Sequence, residues 1–324
     1  MQLPLPADVH SALDFIGDYL PPTPLIKCPA LSEYFGCDLS LKCESFQPVG
    51  AFKVRGGVYL VGRLTEAQRS GGLISASTGN HGQSIAYAGR LFDAPVVIYT
   101  PAEGANEAKL QAMRRLGADV RQFGKDFDEA REQVEEAAEK EGLRYIHSAN
   151  EPDLIAGVGT IGLEILQEAP ATDLIVVPIG GGSGAAGISL AVAACEATTE
   201  VIGVQSAQAP AAWHAWSERR LDVEAGMTSV HEGLATRVPF EMTMQILWER
   251  LTDFVLVQDT AIDDAVCRLA RDAHLVAEGA GAASVAALDV LRQRLAGRRV
   301  VAIVSGGNLP LERYAGILRH GLQD

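Results

Sequence analysis

Apolar runs of strand length alternate along the chain with longer stretches of helical period. Val96-Val97-Ile98-Tyr99 is a four-residue apolar run, followed by an amphipathic stretch over 106–116. Asp173-Leu174-Ile175-Val176-Val177 is a second strand-length run, then a glycine loop over 180–184 and an Ala-rich, wholly apolar stretch over 185–195. Further runs occupy 201–204 and 300–304. Short strands separated by helical stretches imply parallel sheets with crossovers. The pattern predicts an α/β fold of mostly parallel sheets flanked by helices. The charged stretch over 125–142 predicts a helix with a solvated face. No internal repeat is visible, and the pairs Gly56-Gly57 and Gly71-Gly72 are candidate hinges.

Composition narrows the function classes. The 324 residues are 48% hydrophobic, enough for a large core or two domains. A net charge of -14 argues against a nucleic-acid partner, which needs a basic stripe. Residues 174–195 carry no charge, but Pro178 and five glycines make them a poor spanning helix. The N-terminus lacks a basic segment followed by an apolar one, so neither a signal peptide nor a membrane partner is expected. Five cysteines at 28, 37, 43, 195 and 267 include no CxxC pair. Neither a disulfide framework nor a zinc site is expected, which suits the cytoplasm. Of 27 basic residues only six are lysines, so chemistry that needs an amine has few candidates.

Five stretches could carry chemistry. In Ser45-Phe46-Gln47-Pro48-Val49-Gly50-Ala51-Phe52-Lys53-Val54-Arg55-Gly56-Gly57, Lys53 sits in apolar company. Desolvation favours the neutral amine that Schiff-base chemistry needs, although a lysine snorkelling from a helix start fits the same letters. Ser75-Ala76-Ser77-Thr78-Gly79-Asn80-His81-Gly82-Gln83 precedes a helical stretch over 84–91 and offers backbone N–H groups to an anion, or an ordinary helix cap. Pro178-Ile179-Gly180-Gly181-Gly182-Ser183-Gly184 runs from strand to loop to helix, the arrangement that binds phosphate. Its Gly182-x-Gly184-x-x-Gly187 spacing also matches a dinucleotide fingerprint. That reading is weakened because the next strand ends in Gln205-Ser206 and not in an acid. Ser305-Gly306-Gly307-Asn308 lies at a strand's carboxyl end, where open sheets bind ligands. Glu278-Gly279-Ala280-Gly281-Ala282 puts an acid at a helix start, by itself an ordinary dipole partner.

In this order the five stretches resemble the fold-type II pyridoxal 5'-phosphate (PLP) enzymes, the tryptophan synthase beta-like fold. Within them the chain is most similar to the threonine/serine dehydratase (ammonia-lyase) and serine racemase group. The resemblance runs from Thr23-Pro24-Leu25 to Asn308. It implies a large cofactor-binding domain over 1–71 and 149–324 and a small substrate-side domain over 72–148. It implies that Lys53 forms the Schiff base with PLP, with Phe52 beside it; Ala51 stands where the family commonly has serine. Asn80 matches the residue bonded to the cofactor's ring hydroxyl. Ser77, Thr78 and His81 match the loop that grips the substrate carboxylate. Gly180, Gly181, Gly182, Ser183 and Gly184 match the phosphate loop, with Ser183 in place of a glycine. Ser305 matches the residue facing the pyridine nitrogen, and Glu278 an acid near the ring. Arg131 lies where racemase-like members place an arginine near the substrate, and equally suits a surface helix. Some relatives bind a cation near the stretch 227–233; here Glu232 remains but Met227 replaces an acid, so no metal is expected.

The resemblance implies elimination of water and ammonia from a small β-hydroxy amino acid such as L-threonine or L-serine, with freed Lys53 as the base at Cα. A neutral serine opposite the ring nitrogen favours rapid loss of the β-hydroxyl over a lingering carbanion. Thr78 keeps racemisation open, because racemases of the group carry a hydroxyl there, although its methyl restricts χ1. A β-replacing enzyme is a further alternative, disfavoured by the lack of threonine in the phosphate loop. Outside catalysis, a ligand-binding α/β protein remains a rival. Trp213, Trp216 and Phe240 are candidate pocket walls, though such aromatics are commonly core. Relatives suggest a homodimer or homotetramer. The chain stops soon after Asn308, so feedback control through an added C-terminal domain is not expected.

Overall fold

The computed structural model describes residues 2–103, 106–125 and 127–321. Among the described residues, ten strands form two sheets. They are β1 (Leu25–Lys27), β2 (Asp38–Cys43), β3 (Leu73–Ala76), β4 (Val96–Thr100), β5 (Asp119–Gln122), β6 (Arg144–Tyr145), β7 (Leu174–Pro178), β8 (Glu200–Ser206), β9 (Asp253–Val257) and β10 (Arg299–Val304). The larger sheet has the order β1-β2-β10-β7-β8-β9 and is parallel except for β1, which pairs antiparallel with β2. The smaller sheet, β5-β4-β3-β6, is parallel throughout and draws only on residues between Leu73 and Tyr145. The α/β expectation holds. The sequence reading located β4, β7, β8 and β10 to within two or three residues.

The uncharged strands are apolar throughout because both faces of the larger sheet are covered. Along β7 and β10 the side chains alternate between two cores. Ile175, Val177, Val301 and Ile303 face one helical layer, which includes helices Pro6–Ile16, Pro152–Glu168 and Ser183–Ala194. Leu174, Val176, Val300, Ala302 and Val304 face the other, which includes helices Asp259–Asp272 and Gly279–Val290. The charged stretch forms helix Phe127–Glu141, whose buried Val134 and Ala137 pack on Ile74, Ala76 and Tyr99 of the smaller sheet. Among the described residues, no helix is long and apolar enough to cross a membrane.

Two local expectations are corrected. The Gly56-Gly57 pair is no hinge: it lies inside helix Lys53–Arg63 at a tight helix crossing. A Cβ on Gly56 would come within 2.7 Å of the Leu154 carbonyl, and one on Gly57 within 2.2 Å of Ser84 Oγ. The glycines admit a neighbouring backbone, which rigidifies the segment that carries Lys53. The helix expected from Ser84 begins at Asn80. Ser77 Oγ accepts the N–H groups of Gly79 and Gly82 at 3.0 and 2.8 Å, replacing the bonds that a helix start lacks.

Candidate active site

A cavity of about 370 Å³ opens between the two sheets. Its walls follow the carboxyl ends of parallel strands: Ser77 after β3, Pro101 after β4, Gly180 after β7 and Ser305 after β10. Parallel sheets place ligands there, because loops diverge beyond the strand ends.

Lys53 is the first residue of helix Lys53–Arg63, and its amine reaches the cavity. Nζ donates to Ser183 Oγ at 2.8 Å and to the Ser148 carbonyl at 3.1 Å. Neither partner is an anion. Burial, with no carboxylate to offset it, pushes the amine down to about 8. About a tenth of it is then neutral at pH 7, about two- to threehundredfold more than for a free lysine. The amine turns into the cavity to bond Ser183 and Ser148, where a snorkelling lysine would reach out to solvent. One prediction follows at once. The rate at which cofactor-stripped protein takes up PLP should rise about tenfold per pH unit up to about pH 8 and then level off, as stopped-flow absorbance would show.

The loop beside this amine has the form of a phosphate cradle. Gly182 caps helix Ser183–Ala194 with a left-handed φ of 88°, which glycine adopts without strain. At Gly180 a Cβ would lie 2.2 Å from the Gly233 carbonyl, so only glycine lets the two loops touch. The exposed N–H groups and dipole of a twelve-residue helix favour a dianion here. Phe52 closes one side of the loop: its ring would meet a Cβ on Gly184 at 3.4 Å.

Opposite the cradle, polar side chains are tied to one another. Asn80 Nδ2 donates to Glu278 Oε1 at 2.6 Å, and Asn308 Nδ2 donates to Asn80 Oδ1 at 2.8 Å. Burial pushes the Glu278 carboxyl upward, against the opposing pull of Lys109 and Asn80. Ser305 is buried at the cavity wall, and its carbonyl accepts the Phe52 N–H at 3.0 Å. His81 is buried with Nε2 against Ser75 Oγ at 2.9 Å. Burial, then the charge of Lys53, hold it well below the usual imidazole range, so it is neutral. Thr78 lines the cavity, and its hydroxyl has no protein hydrogen bond among the described residues.

The structure thus brings Phe52, Lys53, Ser77, Thr78, Asn80, His81, Glu278, Ser305 and the loop from Gly180 to Gly184 around one cavity. Arg131 is not at its wall. It stands half-buried on helix Phe127–Glu141, 3.3 Å from Glu135, one turn along the same helix. Phe240 lines the cavity, but Trp213 and Trp216 pack on the core and donate to the carbonyls of Phe254 and Leu247. No cluster of three potential metal ligands occurs among the described residues. Glu232 instead pairs with Lys109 Nζ at 2.7 Å, an ion pair that links helix Glu107–Arg115 to the loop after Val230. Sequence reasoning missed Lys109 and Ser148. Lys109 carries no motif, and Ser148 takes part through its carbonyl, which every residue has.

The donor set fits PLP. A neutral-leaning amine stands beside an N-terminal helix cradle, and an amide, an acid and a serine ring the space between. Comparisons with known proteins agree. Residues 16–306 match the family described as "Pyridoxal-phosphate dependent enzyme". The chain is 35% identical over 315 residues to an L-threonine ammonia-lyase of Thermotoga maritima, covering 97% of this chain and 78% of that one. It superposes on a threonine deaminase isoform from Solanum lycopersicum with a TM-score of 0.90 and 29% identity, over 97% of this chain and 93% of that one. Maize serine racemase matches with a TM-score of 0.91 and 27% identity, over 99% of each chain.

Proposed function

The chain belongs to the pyridoxal-phosphate dependent enzyme family, and from that premise we propose that it is an ammonia-lyase that converts L-threonine, L-serine or a related β-hydroxy amino acid to a 2-oxo acid and ammonia. The observation that carries the reading is the Lys53 amine, uncharged in part at neutral pH and 2.8 Å from Ser183 in the phosphate cradle. PLP, when bound, supplies an electron sink for the pair left at Cα as the Cα–H bond breaks. Lys53 Nζ takes that proton; its lowered affinity for protons lets it give the proton up again within the cycle. Ser77 and the N–H groups at the start of helix Asn80–Leu91 hold the substrate carboxylate. Neutral His81 adds no cation there. The cradle fixes the phosphate, and so the distance from it to Lys53. Phe240 and Phe52 give the cradle apolar walls beside Gly181 and Gly184. Residues 72–148, which hold all of the smaller sheet, form the substrate-side domain.

Racemisation is the second reading, and one observation favours it. Thr78 lines the cavity and its hydroxyl has no hydrogen-bond partner among the described residues, which leaves it available as a proton donor to Cα. A panel of β-hydroxy amino acids, assayed for 2-oxo acid and by chiral chromatography, separates the two. The proposal predicts 2-oxo acid from L-threonine or L-serine at a rate at least ten times any inversion. Inversion without 2-oxo acid would replace it with the racemase reading.

A further inference from the structure

We propose that His147 is a positioning residue for the Lys53 amine, because its Nδ1 gathers the turn that aims the Ser148 carbonyl at Lys53 Nζ. The proposal rests on Lys53 being the working amine.

The turn follows β6 and precedes helix Pro152–Glu168. His147 Nδ1 accepts two backbone N–H groups, from Ala149 at 3.0 Å and Asn150 at 2.9 Å. A nitrogen that accepts twice carries no proton, so the ring proton sits on Nε2. The two bonds fold residues 147–150 back over the imidazole and leave the Ser148 carbonyl pointing outward. That carbonyl takes the Lys53 N–H at 3.1 Å. The same turn is tied to the cradle's far wall: Asn150 Oδ1 accepts the Met242 N–H at 3.2 Å, at the start of the helix that Phe240 caps. Phe240 in turn packs against His147 edge to face, with ring centroids 5.1 Å apart, and against Gly181.

The imidazole is held neutral, which the two accepted bonds require. Burial, then the charges of Arg131 and Lys53, push it down to about 4. Tyr145 packs on its other side, and Glu151 accepts the His147 backbone N–H at 3.2 Å while its own carboxylate is paired with Arg144. No carboxylate contacts the ring nitrogens among the described residues, so His147 stays an acceptor across the working pH range.

Two variants separate aiming from packing. His147→Asn keeps an acceptor atom, Oδ1, at the position of Nδ1 and discards the ring. His147→Phe keeps the ring against Phe240 and Tyr145 and discards the acceptor. A carbonyl that accepts from Lys53 favours the ammonium over the amine, so losing it lowers the amine's proton affinity further. His147→Phe should move the pH midpoint of PLP uptake down by about one unit, and lower kcat about tenfold or more with KM little changed. His147→Asn should show less than half of each effect. His147→Leu, lacking both features, should match Phe and serves if Phe does not fold. An Asn variant as impaired as Phe or Leu, or a Phe variant with an unmoved midpoint, overturns the proposal. Lys53→Ala is assayed alongside: turnover retained there removes the reading beneath, whereas turnover lost there with the Asn and Phe order reversed removes only the role of His147.

Discussion

Lys53→Ala lowers turnover by about a thousandfold or more while the protein stays folded. The loss is large because Lys53, whose Nζ alone of the three lining lysines is bonded to Ser183 of the phosphate loop, is both the group that holds PLP and the base at Cα. Lys109 is committed to Glu232 at 2.7 Å, and the buried Lys42 lies in a separate ion cluster. The fold survives for an electrostatic reason. The amine has no anionic partner, and burial lowers its proton affinity, so below about pH 8 the folded state carries a charge it does not favour. By linkage, stability from this group is withheld below that pH and recovered as pH rises toward the ordinary lysine value. Alanine removes the penalty. The cofactor-free variant should therefore melt no lower than cofactor-free wild type at pH 7, while forming no 2-oxo acid. Calorimetry and a coupled ammonia assay on the same samples read both halves.

Arg55→Leu does the reverse, and strikes the fold first. The Arg55 guanidinium is fully buried between two carboxylates. Nε and Nη2 reach Glu44 at 2.8 and 2.9 Å, and Nη2 also reaches Glu164 at 2.8 Å. Lys42 Nζ completes the cluster, 2.6 Å from Glu164, so two cations meet two anions. Burial lowers the proton affinity of Arg55, but Glu44 and Glu164 outweigh it and raise it above the ordinary value. Removing one cation leaves Glu44 buried with only the Thr23 hydroxyl at 2.6 Å. Breaking a buried pair in this way costs about 3–5 kcal/mol. The melting temperature should fall by about 5–10 °C. Lys27→Ala is the control: its ion pair with Asp38 is exposed, and the melting temperature should barely move. The cluster also sets an acid limit. Burial would raise the Glu164 carboxyl, yet Arg55 and then Lys42 hold it below the ordinary value. The stability it supplies is complete above about pH 4.5 and is lost as pH falls through the lower folded value.

How much of this was legible beforehand depends on whether the signal was local. Strands β4, β7, β8 and β10 were readable because burial on both faces leaves nothing but apolar residues. The phosphate loop was readable because a backbone that must approach an anion closely needs glycine, as at Gly180 and Gly182. Lys53 stood out through its apolar neighbours. By contrast β5 and β6 are short and half-buried, with polar and charged residues among their letters, and show no run. The ion cluster joins Glu44, Arg55 and Glu164, whose separations in sequence bear no pattern. The Gly56-Gly57 pair misled because a glycine that admits a neighbouring helix and one that bends the chain look alike until the neighbour is placed. Arg131 and His147 show the same limit from the other side. The arginine was judged by family position and stands off the cavity, whereas the histidine acts through two backbone N–H groups that no motif encodes.

The central claim is that a single amine carries the cofactor. It is tested by mixing the protein with PLP, reducing with borohydride, digesting, and weighing the peptides. The account predicts one stable adduct of reduced cofactor on the peptide that contains Lys53, with the yellow absorbance lost in parallel. An adduct on another lysine, or none from folded protein with excess PLP, would contradict it.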